Sequence, residues 1–473
     1  MERQNSKKEL DFKGKKVLVF GLGLLGGGVA TTNWLIKHGA VVTVTDLKDK
    51  DQLEHSLENI KGKVKLSLGG HKDEDIKDND IIVINPDVPI NNRFVELARK
   101  LGKTVENEAT IFYKSTTRPI IAITGTRGKT TTANWAGHFL KAKKKTIVTG
   151  NSYIEPMMKA LDKVGKYSVV VNELPSFQLE LFDEVSEAPE IAVITNIYQD
   201  HLNRHGSLRN YANTKANIFR SQSSDQNLIL NYDNDWTEFF LKQKPKSKIW
   251  FFSLLTLPKQ LNGVFYKDDT IYFQSNREVK KALDVKGFIE KWGGHNLQNL
   301  LVSSLAAHLG GISWPIIQKN IKTLPQVPFR QEVIFENEQI RVVNDTAATS
   351  PDGGIAAVKR FGSPSCVLIT GGTDRQLDYS QWAKVVPKFV KPENIIMIDG
   401  SATGKMLAVL GSKGHKIRVF NTLEECVVAA LSRLSGHSGA TLLFSPASKS
   451  FEKFKNEYDR GDKFNKLIGE KLK

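Results

Sequence analysis

A short glycine-containing segment, GTRG at residues 125–128, comes directly before Lys129 and Thr130 and could bind phosphate. The common triphosphate loop reads G-x-x-x-x-G-K-[ST], but its first glycine would fall at position 123, which is Ile123. The shorter loop still follows an apolar segment and precedes a helical one, so its backbone N–H groups could point at an anion. Lys129 could reach the outer phosphates, and the Thr130 hydroxyl suits Mg²⁺, which prefers oxygen ligands. The competing interpretation is a helix N-cap in which the threonines only cap.

Further polar side chains follow other apolar segments and could serve the same phosphate. Glu173 ends the segment SVVVNE, where a carboxylate could complete a magnesium shell. Asn196, Asp200 and His201 follow the segment IAVIT. Taken singly, a strand-end glutamate is usually solvated and a lone histidine is usually structural. Because parallel strands of one sheet end at the same edge, we expect Glu173 and His201 to converge on the phosphate loop.

A second glycine segment, GLGLLGGG, places Gly21, Gly23 and Gly26 in the pattern G-x-G-x-x-G after an apolar strand, and Asp46 ends the next strand. In dinucleotide-binding proteins such a loop places a diphosphate at a helix N-terminus, and the acid binds a ribose. NAD is the default ligand for this pattern, although a tight strand-to-helix turn that binds no ligand would show the same glycine pattern. We therefore expect a phosphate or diphosphate ligand here.

Three successive alternations of apolar strands and helices must position these groups. The first starts at KKVLVF, the second at IIAIT and the third at RVVND, an order that favours parallel doubly wound sheets. We predict an α/β protein with a Rossmann-like N-terminal domain (1–117), a central P-loop-type nucleotide-binding α/β domain (118–326) and a Rossmann-like C-terminal domain (327–473). The segment IFYKSTTRP is interpreted as a linker, and the proline-rich TLPQVPFRQE as a domain boundary.

Composition narrows the class of protein. The 473 residues carry 67 Lys and Arg against 51 Asp and Glu, a net charge of +16 that nucleic-acid-binding proteins share. The lysines are spread through segments such as KAKKK without interleaved aromatic residues, so we expect anionic small molecules rather than nucleic acid. No apolar run reaches the ~18 residues of a membrane span, and no signal-peptide segment is seen. Cys366 and Cys426 lie in apolar segments, which predicts a cytoplasmic protein without disulfides.

The chain resembles the Mur ligases of peptidoglycan synthesis. Eight motifs follow the order typical of that family: GTRGKTTT, NELPSFQLE, TNIYQDHLNRHGS, YANTKANIF, GGHNLQN, FRQE, NDTAATSPD and LLFSPASKSFEKFKNEYDRG. The resemblance covers nearly the whole chain and explains the short loop, because this family uses G-T-x-G-K-[ST] for ATP. It implies an ATP-dependent amide ligase with Mg²⁺ as cofactor, in which a carboxylate attacks the γ-phosphate and an amine then attacks the acyl phosphate. The folylpolyglutamate synthases resemble only the two later domains.

The resemblance also implies roles for individual residues. Catalytic positions match Lys129, Glu173, His201 and Lys215. Magnesium ligands match Thr130, Glu173, His201 and Lys215, and the last is a lysine that the family carbamylates, which turns a cation into a metal-binding anion. Contacts to ATP match Gly125, Thr126, Gly128, Lys129, Thr130, Thr131, His295, Asn296, Asn299, Arg330 and Asp345. Contacts to a UDP-sugar match Gly23, Leu24, Asp46, Asn85, Pro86 and Asn151.

The subtype follows from GLGLLGGG, NPDVP and ELPSFQLE, which resemble the family members that add D-glutamate to UDP-N-acetylmuramoyl-L-alanine (UDP-MurNAc-L-Ala). The acceptor pocket would include Thr349, Ser450 and Phe451. Two departures bear on it: Ala347 stands where a glutamate-binding lysine is common, and Glu457 stands where an aromatic residue is usual. We predict D-glutamate as the acceptor and a monomeric enzyme.

Several alternatives stay open at this point. The acceptor could be L-glutamate or another amino acid, and the lost cation could be replaced by Lys449, Lys453 or Arg375. An NAD-linked oxidoreductase is a remote alternative that explains the first glycine loop. It leaves the second loop, Glu173 and His201 without a purpose.

Overall fold

The computed structural model describes residues 10–24, 26–150, 155–184, 187–436 and 438–472. They form two compact units, Met1–Leu324 and Pro325–Lys473. The boundary lies within the proline-rich segment, beside the predicted cut at 326. The predicted cut at 117 lies inside the first unit and stays a prediction. Within the described ranges, no helix is long and apolar enough to cross a membrane.

The first sheet is a Rossmann-type parallel sheet. Its strands are β1 (Lys16–Phe20), β2 (Val41–Asp46), β3 (Lys65–Leu68), β4 (Ile81–Ile84) and β5 (Thr104–Asn107), in the order β3-β2-β1-β4-β5. Its helices are α1 (Gly27–Lys37), α2 (Glu54–Glu58), α3 (Asp73–Lys77), α4 (Arg93–Lys100) and α5 (Glu108–Ser115). The strand order reverses between β1 and β4, so the crevice for a ligand lies at the glycine loop after β1.

The second sheet carries the phosphate loop after its first strand in chain order. Its strands are β6 (Ile120–Thr124), β7 (Thr146–Gly150), β8 (Val169–Glu173), β9 (Ile191–Ile194), β10 (Asn227–Asn231), β11 (Lys248–Ser253), β12 (Gly263–Lys267), β13 (Thr270–Ser275) and β14 (Glu278–Asp284). The order is β14-β13-β12-β11-β10-β9-β6-β8-β7, with only the pairs β12–β13 and β13–β14 antiparallel among the described strands. Since β8 and β9 flank β6, the ends of all three strands meet beside the loop.

Helices cover both faces of this second sheet. They are α6 (Lys129–Lys141), α7 (Met157–Leu161), α8 (Leu202–His205), α9 (Leu208–Arg220), α10 (Thr237–Leu241), α11 (Phe288–Trp292), α12 (His295–Leu309) and α13 (Trp314–Ile321). Every residue of β6 and β8 is buried, as expected for parallel strands covered on both faces. The helix predicted after the phosphate loop is confirmed as α6.

The linker interpretation of IFYKSTTRP is wrong. Residues up to Ser115 belong to α5, and the side chains of Ile111, Phe112 and Tyr113 are fully buried. The helix begins with a capping box in which the Asn107 side chain accepts the Thr110 N–H. These apolar side chains share one core with residues of both sheets of the first unit, so the segment packs rather than links.

The second unit is built on a mostly parallel Rossmann-like sheet. Its strands are β15 (Glu332–Glu336), β16 (Ile340–Asn344), β17 (Cys366–Thr370), β18 (Ile395–Ile398), β19 (Arg418–Phe420) and β20 (Ala440–Phe444), in the order β15-β16-β20-β17-β18-β19. Only β15 runs antiparallel to its neighbour among these strands. Its helices are α14 (Pro351–Phe361), α15 (Ser380–Val385), α16 (Ser401–Leu410), α17 (Leu423–Leu434) and α18 (Glu457–Lys471).

Candidate active site

The loop between β6 and α6 needs glycine at both of its glycine positions. Gly125 has φ +138°, and a Cβ there would lie 1.9 Å from the Thr195 hydroxyl oxygen. Gly128 has φ +81°, and a Cβ there would lie 2.3 Å from Oδ1 of Asn299. Both positions therefore combine a left-handed backbone with close approach of a neighbour. The two closely spaced glycines therefore form a tight turn, which packs against the end of β9 and against α12.

Residues just past β9 hold this loop in place. The backbone N–H of Thr126 donates to the Asn196 carbonyl at 2.9 Å, and the N–H of Arg127 donates to Asn196 Oδ1 at 2.8 Å. The Thr195 hydroxyl donates to the Arg127 carbonyl at 2.7 Å. Lys129 Nζ donates to the Thr126 carbonyl at 3.1 Å, so the ammonium group lies over the loop. Asn196 therefore holds the loop backbone in its conformation. The Lys129 ammonium group lies close enough to the loop to contact an anion bound there.

Lys215 is buried beside the loop. Helix α9 carries it inward, its exposed fraction is 1%, and its Nζ donates to the Thr124 hydroxyl at 3.2 Å. The Thr124 hydroxyl in turn donates to the Leu174 carbonyl at 2.6 Å. The ammonium group also lies 4.7 Å from the centre of the Tyr211 ring. A lysine this deeply buried is rare outside functional or paired positions.

The charges around Lys215 link it to the other predicted catalytic groups. Burial lowers its pKa well below the usual range, and the nearby charge of Lys129 lowers that pKa further. The carboxylates of Asp200 and Glu173 act in the opposite direction. The lowered pKa favours a neutral amine at position 215.

Glu173 and His201 reach the same edge of the sheet from the two strands beside β6. Glu173 is the last residue of β8, lies opposite Ile123 in the register and is 6% exposed. His201 precedes α8 with φ +52°, a conformation uncommon for a non-glycine residue. Its neighbour Asp200 forms an ion pair with Arg127 of the phosphate loop at 2.9 Å. The sequence analysis missed this pair, although Arg127 stands inside the loop motif.

Two of the four predicted magnesium ligands, Thr130 and Glu173, offer oxygen, whereas His201 and unmodified Lys215 offer nitrogen. No group of three or more His, Cys, Asp or Glu side chains suited to a metal occurs among the described residues. Thr130, Glu173 and His201 would therefore need oxygens from elsewhere to complete a shell, either from a phosphate or from a modified Lys215. Mg²⁺ is commonly held by one or two carboxylates together with substrate phosphates, so this donor set fits the ion.

The predicted adenine-side residues lie on the first turns of α12. Asn299 Nδ2 donates to Asn296 Oδ1 at 2.8 Å, and Asn296 Nδ2 lies 3.0 Å from His295 Nε2. The Thr132 hydroxyl contacts Asn299 Oδ1 at 3.4 Å. Thr131, next to it on α6, is buried. Helices α6 and α12 pack together, which brings this group to the phosphate loop.

In the N-terminal glycine loop, the carboxylate of Asp46 accepts hydrogen bonds from the protein backbone. Asp46 Oδ2 accepts the backbone N–H groups of Leu22 (2.9 Å) and Gly23 (3.0 Å), and Oδ1 accepts the N–H of Lys48 (2.9 Å). The carboxylate therefore fixes the loop, and the predicted contact of Asp46 with the UDP-sugar stays a prediction. Leu24, at the tip, is 54% exposed.

The second half of the predicted UDP-sugar site adjoins this loop. Asn85 Nδ2 donates to the Gly21 carbonyl at 3.1 Å, which ties the segment after β4 to the glycine turn after β1. Pro86 follows and is partly exposed. The predicted residue Asn151 lies outside the described residues.

Arg330 and Asp345 belong to the second unit and are described within it. Asp345 is buried, where Oδ2 accepts the Ser445 hydroxyl at 2.7 Å and Oδ1 accepts the Gln331 N–H at 3.0 Å. Burial raises the pKa of this carboxyl to about 7 despite these bonds and the nearby charge of Arg330. Arg330 itself is exposed.

Of the three predicted acceptor residues, Ser450 lines a small depression of the second unit, together with Lys449, Lys453 and Arg460. The Ser450 hydroxyl is buried and has no hydrogen-bond partner within the part of the chain that the structure describes. Phe451 is 59% exposed. Thr349 lies partly buried, and its N–H donates to the Ala347 carbonyl at 3.0 Å.

One of the two departures from the family pattern, Glu457, forms an ion pair at this site. Lys449 Nζ lies 3.3 Å from Glu457 Oε1, and both side chains are mostly buried. Beside them, Arg460 is fully buried and donates to the carbonyls of Thr346 (2.8 Å) and Ser448 (3.1 Å). The sequence motifs point to Lys449 and Glu457 separately and carry no signal that the two side chains pair.

Comparison with known proteins supports one family. The Mur ligase middle-domain model matches residues 123–307, and the model of the MurD-like N-terminal domain of Mur ligases matches residues 15–106. The UDP-N-acetylmuramoylalanine–D-glutamate ligase of Roseiflexus sp. (strain RS-1) is 36% identical over 97% of this chain and 99% of its own length. The enzyme of the same name from Clostridioides difficile (strain 630) is 33% identical over 96% of this chain and 98% of its own length.

Solved structures agree on the fold. The UDP-N-acetylmuramate–alanine ligase MurC of Thermotoga maritima superposes with a TM-score of 0.60 at 20% identity, over 96% of this chain and 99% of that one. MurF of Acinetobacter baumannii superposes with a TM-score of 0.60 at 16% identity, over 91% of each chain. The chain therefore belongs to the Mur ligase family, and the D-glutamate ligases named above are its relatives at full length.

Proposed function

We propose that this chain is an ATP-dependent ligase that joins D-glutamate to UDP-MurNAc-L-Ala in the synthesis of peptidoglycan precursors. One observation carries the catalytic part of this proposal. The phosphate loop, the buried Lys215, the strand-end Glu173 and the segment of Asp200 and His201 meet at one edge of the second sheet. The substrate part rests on the full-length relatives, whose names give both the UDP-sugar and D-glutamate.

The reaction would form an amide in two steps. A carboxylate oxygen of the alanyl group attacks the γ-phosphorus of ATP, and ADP leaves with the electrons of the broken P–O bond. The amine of the acceptor then attacks the acyl carbon, and the intermediate expels inorganic phosphate and loses a proton. Lys129, lying over the loop, would offset the charge that builds on the transferred phosphoryl oxygens. Bound Mg²⁺ would supply further charge neutralisation at the same phosphates.

The environment of Lys215 favours carbamylation. Only the neutral amine attacks CO₂, and this step forms a carbamate and releases a proton. The lowered pKa of Lys215 raises the fraction of that neutral form. The product is an anion beside Thr124, and Mg²⁺ attracts an anion where it would repel an ammonium group.

The N-terminal glycine loop would bind the UDP part of the substrate. Its backbone is held by Asp46, which accepts the N–H groups of Leu22 and Gly23, so the carboxylate acts on the loop backbone. An NAD-linked oxidoreductase requires this acid to bind a ribose. The proposed surface for the UDP-sugar consists of Gly23, the exposed Leu24 and the segment at Asn85 and Pro86.

The acceptor would be bound in the second unit at Ser450, Phe451 and Thr349. A dianionic amino acid needs cations there, and Lys449 precedes Ser450, whose hydroxyl has no hydrogen-bond partner among the described residues. Lys449 would replace the lysine missing at position 347, and Glu457 holds it at 3.3 Å. Arg375 is the further cation proposed for this site.

We place the reaction in the cytoplasm and expect a monomer that does not use nucleic acid. Both thiols, Cys366 and Cys426, are free and buried, which suits a reducing compartment. The positive charge of the chain would serve anionic substrates.

The test is turnover with purified protein, ATP, Mg²⁺ and UDP-MurNAc-L-Ala. Phosphate release is measured with D-Glu, L-Glu, D-Asp, a neutral amino acid and a basic amino acid at matched concentrations. We expect release that depends on the UDP-sugar and is fastest with D-Glu. Release that is independent of any amino acid would overturn the ligase proposal, and preference for a neutral or basic amino acid would overturn the acceptor alone.

A further inference from the structure

The short helix that follows His201 is held on two sides by its own polar side chains. Arg204 and His205 lie on α8, which has no buried residue of its own. The His205 ring nitrogen Nε2 lies 2.9 Å from the Ser176 hydroxyl, in the turn after Glu173. Since no residue of α8 is fully buried, these polar contacts help to fix its position, together with the packing of the His205 ring 5.2 Å from that of Tyr211.

Arg204 makes the contacts on the other side. Its Nε and Nη2 donate to the two carboxylate oxygens of Glu180 at 2.8 and 2.6 Å. Its Nη1 donates to the carbonyl of Pro86 at 2.6 Å, and Nη2 donates to the carbonyl of Val88 at 2.9 Å. Both ionised side chains are mostly shielded from solvent, with 14% of Arg204 and 6% of Glu180 exposed.

These bonds complete a continuous path between the two glycine loops of the first unit. Gly21 in the first loop accepts from Asn85, and the next residue, Pro86, accepts from Arg204. Arg204 lies three residues after His201 on the same short segment. The path therefore runs from the proposed UDP-sugar loop to the proposed magnesium site through hydrogen bonds and short stretches of backbone.

We propose that Arg204 is a positioning residue that couples occupancy of the UDP-sugar loop to the geometry of the His201 segment. The inference rests on the proposed function. A substrate that fixes the segment at 85–88 would, through the guanidinium group, fix α8 and thereby favour binding of nucleotide and metal. Arginine suits this role because its planar fork can satisfy a carboxylate and two carbonyls at once, which the ammonium group of lysine cannot do.

Contiguity alone does not establish coupling, so the test measures coupling itself. The dissociation constant of Mg·ADP is measured with and without saturating UDP-MurNAc-L-Ala, for the wild type and for Arg204→Met. The matched control is Arg220→Met, because in the described part of the chain Arg220 bonds to Asn217 and Asn213 of its own helix α9. Steady-state kcat and KM are measured for the same proteins.

In the wild type we expect the UDP-sugar to tighten Mg·ADP binding by about 5-fold or more, the usual range of coupling between sites. In Arg204→Met this factor should fall towards one, with kcat reduced by about tenfold to a hundredfold, because slight misplacement of catalytic groups costs that much. Arg204→Lys should recover part of both, and Arg220→Met should match the wild type. An Arg204→Met enzyme that keeps the wild-type coupling factor and kcat would overturn the proposal.

Loss of Arg204 also leaves Glu180 buried without its partner, which could unfold the chain. The double variant Arg204→Met/Glu180→Leu removes both charges and is expected to fold, with the coupling still lost. Coupling retained in the folded double variant would contradict the proposal. If the wild type itself shows no turnover with the UDP-sugar, the proposed function fails, and that outcome is distinct from wild-type turnover with an unaffected Arg204→Met.

Discussion

The ammonium nitrogen of Lys215 lies 3.2 Å from the hydroxyl oxygen of Thr124, the last residue of the strand that leads into the phosphate loop. The distance places a buried amine directly behind the proposed ATP site. Burial and the charge of Lys129 both lower its pKa, so the neutral form is favoured. A neutral amine in this position is the form that CO₂ can modify.

Replacing Lys215 with alanine should reduce kcat by about 10²-fold or more, a typical cost of losing a group that supports charge in the transition state. Added formate or acetate should restore part of the activity, because a short carboxylate can supply the missing oxygens. The control is Lys141→Ala, at the exposed end of α6. Full activity without added carboxylate would mean that Lys215 is an ordinary helical lysine.

The phosphate loop should not tolerate a methyl group at Gly125. Gly125→Ala would place Cβ 1.9 Å from the Thr195 hydroxyl with the backbone at φ +138°, so the loop must distort. We expect lower stability, by about 1–3 kcal/mol from backbone strain alone, together with loss of ATP turnover. Gly165→Ala is the control, since its Cβ would meet no atom within 4 Å. Thermal melting and phosphate release report the two effects, and a Gly125→Ala enzyme with normal values for both would count against the loop assignment.

The acceptor site should respond in opposite directions to changes in the two members of its ion pair. Lys449→Met should raise the KM for D-glutamate by about tenfold or more, since a charged hydrogen bond contributes roughly 1.5–3 kcal/mol. Glu457→Gln should lower that KM, because it removes an anion near a dianionic substrate. Lys466→Met, at an exposed position of α18, is the control. Changes in the same direction for both variants, or changes in the KM for ATP alone, would contradict this account of the pocket.

A buried carboxyl outside the proposed site makes stability depend on pH. Burial raises the pKa of Glu108 from 4.5 to about 7, and its Oε1 accepts the Met158 N–H at 3.2 Å. Because the folded state holds this proton more tightly, the stabilising contribution is present below about pH 4.5 and is lost as pH rises to about 7.

Glu108→Gln should therefore stabilise the protein more at pH 8 than at pH 5, by an amount of at most about 3 kcal/mol. Glutamine keeps the acceptor for the Met158 N–H, so the comparison isolates the charge. Urea midpoints of variant and wild type at pH 5, 6, 7 and 8 provide the measurement. A difference that stays constant with pH would show that Glu108 does not ionise in this range.

The sequence predicts the elements of this protein better than the contacts between them. Strand ends at Thr124 and Glu173 were predictable because each strand is an apolar run that ends in a polar turn. The segment 111–119 suggests a linker because its second half is polar and contains proline, although its residues up to Ser115 form the end of a short helix. Its burial depends on apolar partners from two sheets that lie far away in sequence.

The side-chain pairings at the sites depend on the folded chain in the same way. The carboxylate of Asp46 turns onto backbone N–H groups more than 20 residues earlier, and Arg204 bonds to carbonyls more than 110 residues earlier. Lys449 and Glu457 are eight residues apart but belong to a loop and a helix, so no helical or strand spacing predicts their contact. Patterns locate polar side chains, and only the packed sheets decide which of them meet.

The central claim is that ATP activates the alanyl carboxylate as an acyl phosphate before the amide forms. The most direct test uses UDP-MurNAc-L-Ala labelled with ¹⁸O in that carboxylate, with ATP, Mg²⁺ and D-glutamate, and analyses the released phosphate by mass spectrometry. We expect one ¹⁸O atom in each phosphate released, in proportion to the amide formed, because the attacking oxygen stays with the phosphoryl group. Amide formation with unlabelled phosphate, or phosphate release without amide, would contradict it.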